Sequence, residues 1–229
     1  MKLIEITPEI VQLTRFGLVN CFLVREDDGL TLVDTMVPGS GNGIYAAANA
    51  LNRPLRRIVL THVHMDHVGS LDALSNKLIG IEVAVGRRES RLMTRDFRTE
   101  PGEPTNRVRG TFPKLETVPS TLLSEGECYG SLKVIATPGH TPGHLAFFDV
   151  RSGTLIAGDA LTSVGGLRVS GDGPAIFPFA NWATWHKPTA IARARKLAEL
   201  QPKRIVVGHG MPVVANANQA LKEAVRHAE

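Results

Sequence analysis

Three imidazoles and a carboxylate fall within six residues in the stretch Thr61-His62-Val63-His64-Met65-Asp66-His67-Val68-Gly69. It directly follows Arg57-Ile58-Val59-Leu60, whose apolar end has the character of a buried strand. On a chain leaving a strand, His62 and His64 stand two apart and point one way, while Val63 and Met65 turn to the other side. Asp66 and His67 then approach from beyond. Imidazole nitrogens and a carboxylate oxygen suit zinc, and also iron or manganese, so the spacing describes a metal site with room for more than one ion. A polar turn with satisfied hydrogen bonds would explain one histidine here, but not four ligand-type groups.

Three further candidates follow the same grammar. His140 lies in Thr137-Pro138-Gly139-His140-Thr141-Pro142-Gly143-His144, Asp159 in Ala157-Gly158-Asp159, and His209 in Gly208-His209-Gly210. Each comes just after a strand-like run, with glycine beside it to let backbones approach closely. With Asp34 and the His62-x-His64-x-Asp66-His67 cluster, they match in order and approximate spacing the five motifs of the metallo-β-lactamase superfamily, which the chain resembles over nearly its whole length. The resemblance implies an α/β fold, a four-layer αβ/βα sandwich of two mixed β-sheets flanked by helices, with a dinuclear site along one edge of the sheets. Carried over by position, His62, His64 and His140 bind a first metal, Asp66, His67 and His209 a second, and Asp159 bridges both. The cofactor is then two divalent metal ions, with zinc expected and iron or manganese as alternatives. Asp34 and His144 stand behind the ligands and orient them. His186 and His227 belong to no motif and read as a loop or helix-start residue and a solvent-facing one.

The implied chemistry is hydrolytic. Two divalent cations about 3.5–4 Å apart share a water and lower its pKa toward neutrality, so a bridging hydroxide is the expected nucleophile. Asp66 is the expected catalytic side chain, orienting that hydroxide and passing its proton to the leaving group. Departures from relatives narrow the field. Oxygen-reducing flavo-diiron members have an acidic residue where His64 stands and carry a flavodoxin domain. Many true β-lactamases lack the bridging aspartate or use a cysteine ligand. Glyoxalase II-type thioesterases share all seven ligands but add a glutathione-binding helical extension, whereas twenty residues follow His209 here. Homoserine-lactone hydrolases often carry a tyrosine three residues after the bridging aspartate, and this chain has Thr162. The expectation is a dinuclear metal-dependent hydrolase of a small ester-like carbonyl compound: an ester, lactone or thioester. The alternatives are a phosphodiesterase or nuclease of the same fold and, from another class, an iron-dependent sulfur dioxygenase.

The elements that must position these groups follow from pattern. Short runs rich in Val, Ile and Leu at residues 3–6, 10–14, 18–24 and 30–34 read as strands, separated by Pro8, Gly17 and Asp27-Asp28-Gly29. Helices are predicted over 44–51, from near 68 to 78, over 188–200 and over 216–228, and further strands over 58–60, 81–85, 132–136, 144–150, 154–157 and 204–207. Strands and helices recur in two similar halves, which implies two sheets face to face with helices outside. Residues 87–122 carry a short helix through Met93 and then proline and glycine that deny long elements. A second irregular stretch, 165–185, holds Phe177, Phe179, Trp182 and Trp185, either a loop pinned by its own rings or the wall of a substrate pocket.

With 43% hydrophobic and 21% charged residues, the 229-residue chain has globular composition, and one domain over 1–229 is expected. Its net charge of +4 resides in residues 87–114, where eight basic side chains face four acidic ones. That is the signature of a salt-laced helix and loop, or of arginines that guide an anionic substrate. Nucleic acid is not expected as a partner, and a small-molecule substrate is. No run reaches the ~18 apolar residues of a membrane helix, and Glu5 and Pro8 break the first segment, so a cytoplasmic protein is expected. Cys21 reads as a core residue and Cys128 as a turn residue, with no disulfide demanded.

Overall fold

The computed structural model describes residues 1–229. Its first sheet runs in chain order through β1 (Lys2–Thr7), β2 (Ile10–Arg15), β3 (Val19–Glu26), β4 (Gly29–Val33), β5 (Leu55–Val59), β6 (Glu82–Gly86) and β7 (Thr121–Leu123). Pairing is antiparallel from β1 to β4 and parallel from β4 to β7. The switch follows from the connections, since parallel neighbours need crossovers. Two of these contain α1 (Gly41–Ala50), and α2 (Met65–Val68) with α3 (Leu71–Lys77). The third contains α4 (Ser90–Met93) and the long irregular segment.

The second sheet contains β8 (Cys128–Tyr129), β9 (Leu132–Ala136), β10 (Leu145–Asp149) and β11 (Thr154–Ile156). After it come a small ribbon of β12 (Leu161–Thr162) and β13 (Arg168–Val169), the short helix α5 (Phe179–Trp182) and the long helix α6 (Lys187–Glu199). Then β14 (Arg204–Val206) joins β11 in parallel, and α7 (Ala217–Ala228) closes the chain.

Side-chain alternation explains the layering. On β3, Phe22 and Val24 face the core between the sheets, while Cys21 and Leu23 face the layer of α1 and α3. On β10, Leu145 and Phe147 point into the same central core, and Ala146 points toward α6 and α7. Seven residues of each sheet form the central core, so the two sheets pack face to face with helices outside both. Strands apolar on both faces are what such a sandwich requires.

The expected helix over 68–78 is in fact two. Its first turn begins earlier, at Met65, and carries Asp66 and His67, and the chain breaks before α3 at Ser70. There Ser70 Oγ donates to Val37 O and accepts from Ser40 N–H, both at 2.8 Å, tying the helix junction to the loop after β4. The edge strands β7 and β8, the ribbon and α5 are too short for pattern to reveal. Both cysteines are free, Cys21 buried and Cys128 exposed.

Candidate metal centre

Strands β4, β5, β9, β11 and β14 all end at one edge of the sandwich, and the loops leaving them carry Asp34, the His62–His67 cluster, His140, Asp159 and His209 respectively. Parallel pairing of β4 with β5 and of β11 with β14 is what sends their carboxyl ends to the same side. There, one ligand atom each from His62, His64 and His140 lies within 4.8 Å of the others, and so do Asp66, His67 and His209. Asp159 groups with His62 and His67, and its Oδ2 also lies 3.2 Å from His209 Nε2 and 3.5 Å from His140 Nε2. All seven residues singled out in the sequence as metal ligands thus meet, with Asp159 between the two triads. Gly208 is necessary for this approach, because a Cβ there would lie 2.2 Å from Asp159 Oδ1.

Hydrogen bonds behind the rings decide which nitrogen faces inward. Asp34 is fully buried and its carboxylate accepts from Thr61 N–H (2.8 Å), Thr61 Oγ1–H (2.7 Å) and His67 Nδ1–H (2.8 Å). Since Thr61 spends its hydroxyl proton on Asp34, His62 Nδ1 must donate to Thr61 Oγ1, at 3.0 Å. A second relay ends at a backbone carbonyl: Thr184 donates to Ala180 O (2.6 Å), Ser170 to Thr184 (2.7 Å), and His140 Nδ1 therefore to Ser170 (2.9 Å). His64 donates from Nε2 to Arg109 O at 2.8 Å. The rings of His62, His64 and His140 consequently turn a bare nitrogen toward the centre, while His67 Nε2 lies 3.3 Å from Asp159 Oδ1.

Those lone pairs have no protein proton to accept. His62 Nε2 is buried without a hydrogen-bond partner, and His64 Nδ1 and His140 Nε2 face each other at 3.0 Å. Converging bare nitrogens beside two buried or half-buried carboxylates form a donor set that a divalent cation satisfies, and the residues fit such an ion. Charge behaves accordingly. Burial holds the His62 and His140 imidazoles well below their usual range. Burial also opposes charge on His67 and His209, but Asp159 with Asp34 outweighs it for His67, and Asp159 with Asp66 for His209, which is raised to about 9. The carboxyls of Asp66 and Asp159 are held well below the carboxylate range by the imidazoles despite their burial.

His144 faces away from the centre. Its Nε2 accepts from Asp159 N–H at 3.0 Å and its Nδ1 lies 2.8 Å from Thr137 Oγ1, so it sets the backbone that presents Asp159. His186 caps α6, accepting from Thr189 N–H, and the exposed His227 pairs with Asp172.

A cavity of about 320 Å³ opens over the cluster and is lined by His64, Asp66, His140, Asp159 and His209 on its floor. Phe177, Phe179 and Trp182 form one wall. Trp185, grouped with them in the sequence, departs from that expectation: it is buried in the core, where its indole donates to Asn106 O at 2.8 Å. It pins the irregular segment over the site. The arginine-rich segment is in part salt-laced and contributes little to the cavity lining. Arg88 pairs with Glu103, Arg91 with Asp96 and Glu100, and Arg98 with Asp96, and only Gly110 and Thr111 of residues 87–114 reach the cavity.

Two supporting residues escaped sequence reading. Glu89, counted there among the acids of a solvated segment, is fully buried, and its carboxylate accepts from Val63 N–H (3.0 Å), Thr141 Oγ1–H (2.8 Å) and Gly143 N–H (3.0 Å). It clamps the loop of His62 and His64 to that of His140 and His144. Burial pushes its carboxyl up to about 7 against the pull of these donors. Asn20 donates from Nδ2 to Val207 O (2.9 Å) and Gly210 O (2.8 Å), holding the His209 turn from the opposite sheet.

Comparison with known proteins agrees with this geometry. YobT of Bacillus subtilis (strain 168), an uncharacterized protein, is 44% identical over 212 residues, covering 92% of this chain and 91% of its own. The hydroxyacylglutathione hydrolase GloC of Haemophilus influenzae is 26% identical, covering 88% and 90%. Among solved structures, DIM-1 metallo-beta-lactamase superposes with a TM-score of 0.71 at 18% identity over 99% of this chain and 96% of that one, a likeness of fold. The metallo-beta-lactamase superfamily profile matches residues 14–209, a span holding every candidate ligand, and the chain belongs to that superfamily.

Proposed function

We propose that this protein is a dinuclear metal-dependent hydrolase of a small ester-like carbonyl compound, an ester, lactone or thioester. The observation that carries the reading is the set of bare imidazole nitrogens and carboxylates facing one another beneath an open cavity. His62, His64 and His140 would hold one divalent ion, Asp66, His67 and His209 the other, with Asp159 between them; zinc is the expected ion. When bound, such a pair supplies a water of lowered pKa and a Lewis acid for the substrate carbonyl.

The chain's own groups do the rest. Asp66 has one oxygen 3.1 Å from His209 Nε2 and no protein hydrogen bond to the other, and it lines the cavity with its side chain 38% exposed. That free oxygen is placed to take a proton from the attacking water and deliver it to the leaving group. Asp34, Thr61 and Ser170 keep three rings in one tautomer, so the ligand nitrogens need not reorganise during turnover. A relative named as a hydroxyacylglutathione hydrolase supports the thioester arm of the reading.

The test is metal analysis combined with a panel of aryl esters, lactones, thioesters and phosphodiesters, run beside Asp66→Ala and His67→Ala. The expected result is about two ions per chain and carbonyl hydrolysis that falls at least a hundredfold in both variants. Equal activity in the variants overturns the mechanism. Phosphodiester turnover exceeding carbonyl turnover, or oxygen uptake with iron and a persulfide, transfers the function to one of the alternatives.

A further inference from the structure

The chemistry of the cavity wall goes further than the reaction class. Above the cluster the cavity is bounded by Leu18, Val37, Met65, Phe177, Phe179 and Trp182, and no lysine or arginine lines it. Of the basic segment that could have supplied one, only Gly110 and Thr111 reach the cavity, and Arg88, Arg91 and Arg98 are paired within the segment. Arg88 makes two bonds to Glu103, at 2.7 and 2.9 Å, and Arg91 makes two to Asp96 and one to Glu100. Arg109 reaches the site through its carbonyl on His64 and otherwise lines a neighbouring hollow with Lys187, which is itself paired to Asp172.

The aromatic wall is unusual in its exposure. Phe179 is 64% and Trp182 54% accessible, although both stand on one short helix beside the cavity. Phe177 connects that helix to the centre, its ring 5.9 Å from Phe179 and 5.1 Å from His209. Large rings left in water at the mouth of a reactive cavity lose hydration cost when an apolar group covers them. An ionised group seated on the same wall would lose its water and gain no partner.

We infer that the portion of the substrate remote from the reacting carbonyl is uncharged and apolar, an alkyl or aryl group seated against Phe177, Phe179 and Trp182. This rests on the hydrolase reading and narrows it. Charge close to the reacting bond would be met by the metal ions, whereas charge at the distal end has nothing to meet it. A glutathione thioester, whose thiol half carries two carboxylates and an ammonium, is therefore a poor substrate, although relatives bear that activity in their names.

Matched pairs test the inference. 4-Nitrophenyl hexanoate and the mono-4-nitrophenyl ester of adipate differ only in a terminal methyl against a carboxylate. S-Hexanoyl-N-acetylcysteamine and S-hexanoylglutathione share one thioester bond. The neutral member of each pair should be preferred by tenfold or more in kcat/KM, and each methylene between acetyl and hexanoyl should add up to about fourfold. Trp182→Ala should narrow the hexanoyl-to-acetyl ratio at least fivefold. A readout free of turnover uses Trp185→Phe protein, in which Trp182 is the sole indole: 2-octanone should change its emission and 7-oxooctanoate should not. Preference for the charged member of both pairs, or a stronger response to 7-oxooctanoate, overturns the inference while leaving the hydrolase intact. Binding of 2-octanone without hydrolysis of any ester or thioester overturns the hydrolase and leaves the apolar seat standing.

Discussion

Replacing Gly110 by alanine should damage the metal centre through a single contact. Gly110 has φ +109°, a conformation L-residues rarely adopt, and a Cβ there would fall 2.0 Å from Nε2 of His64 and 2.5 Å from its Cδ2. The backbone term costs about 1–3 kcal/mol. Relieving the overlap requires moving either the loop or the ring, and both break the 2.8 Å bond from His64 to Arg109 O, another ~1–2 kcal/mol. A ring freed from its orienting acceptor should bind metal roughly 10–100-fold more weakly. Gly102→Ala supplies the control: φ is +86° and nothing lies within 4 Å of its would-be Cβ, so it carries the backbone cost without the collision. The assay is metal content after equilibration against chelators of graded affinity, together with urea unfolding of the metal-free proteins. Gly110→Ala should lose both affinity and stability, Gly102→Ala about 1 kcal/mol of stability alone. Wild-type metal affinity in Gly110→Ala, or an equal loss in Gly102→Ala, refutes the reasoning.

The remaining expectations concern the supports and the ions. Glu89→Ala should destabilise by about 3 kcal/mol or more and lower metal content, since it strands three buried donors; a loss under 1 kcal/mol in urea counts against the clamp. The folded Glu89 carboxyl lies above its unfolded value, so its stabilising contribution is complete below about pH 4.5 and lost as pH rises through about 7. Relative to Glu89→Gln, wild type should therefore weaken by about 3 kcal/mol between those limits, and parallel stability curves would be the contrary result. Ser170→Ala removes the acceptor of His140 Nδ1 and should weaken metal binding about tenfold by competition titration; unchanged affinity would leave the relay without a role. Chelator treatment should lower the thermal midpoint by roughly 5–10 °C, from ~2.7 kcal/mol of linkage at a hundredfold excess over Kd, and a midpoint indifferent to chelator would speak against any resident ion.

Most of the architecture and the cluster were legible from residue order alone. Runs apolar at every position marked strands covered on both faces, and β9 was delimited to the residue because Gly130 and Pro138 bracket it. The seven ligand-type residues were legible because histidine is scarce, with eight in the chain, and five of them gather with Asp66 and Asp159 in segments that follow strands. Where the chain misled, tertiary packing had overridden pattern. The helix over 68–78 broke at Ser70 because a loop from β4 needed that hydroxyl. Phe177, Phe179, Trp182 and Trp185 are equivalent as letters, yet three border the cavity and one is core.

Asp34 and His144 were legible as supports through the family motifs, but the other supports were not. Glu89 reaches Val63 across 26 positions and Gly143 across 54, Asn20 reaches Val207 across 187, and His64 is oriented by the carbonyl of Arg109, an atom every residue possesses. Amino-acid order thus determined which side chains are able to bind metal and which ends of strands carry them. The folded packing decided which nitrogen of each ring faces inward, which of the segment's arginines are paired, and what surface lines the cavity. Ligand chemistry is a property of single residues, whereas orientation and desolvation belong to neighbours that only the fold brings together.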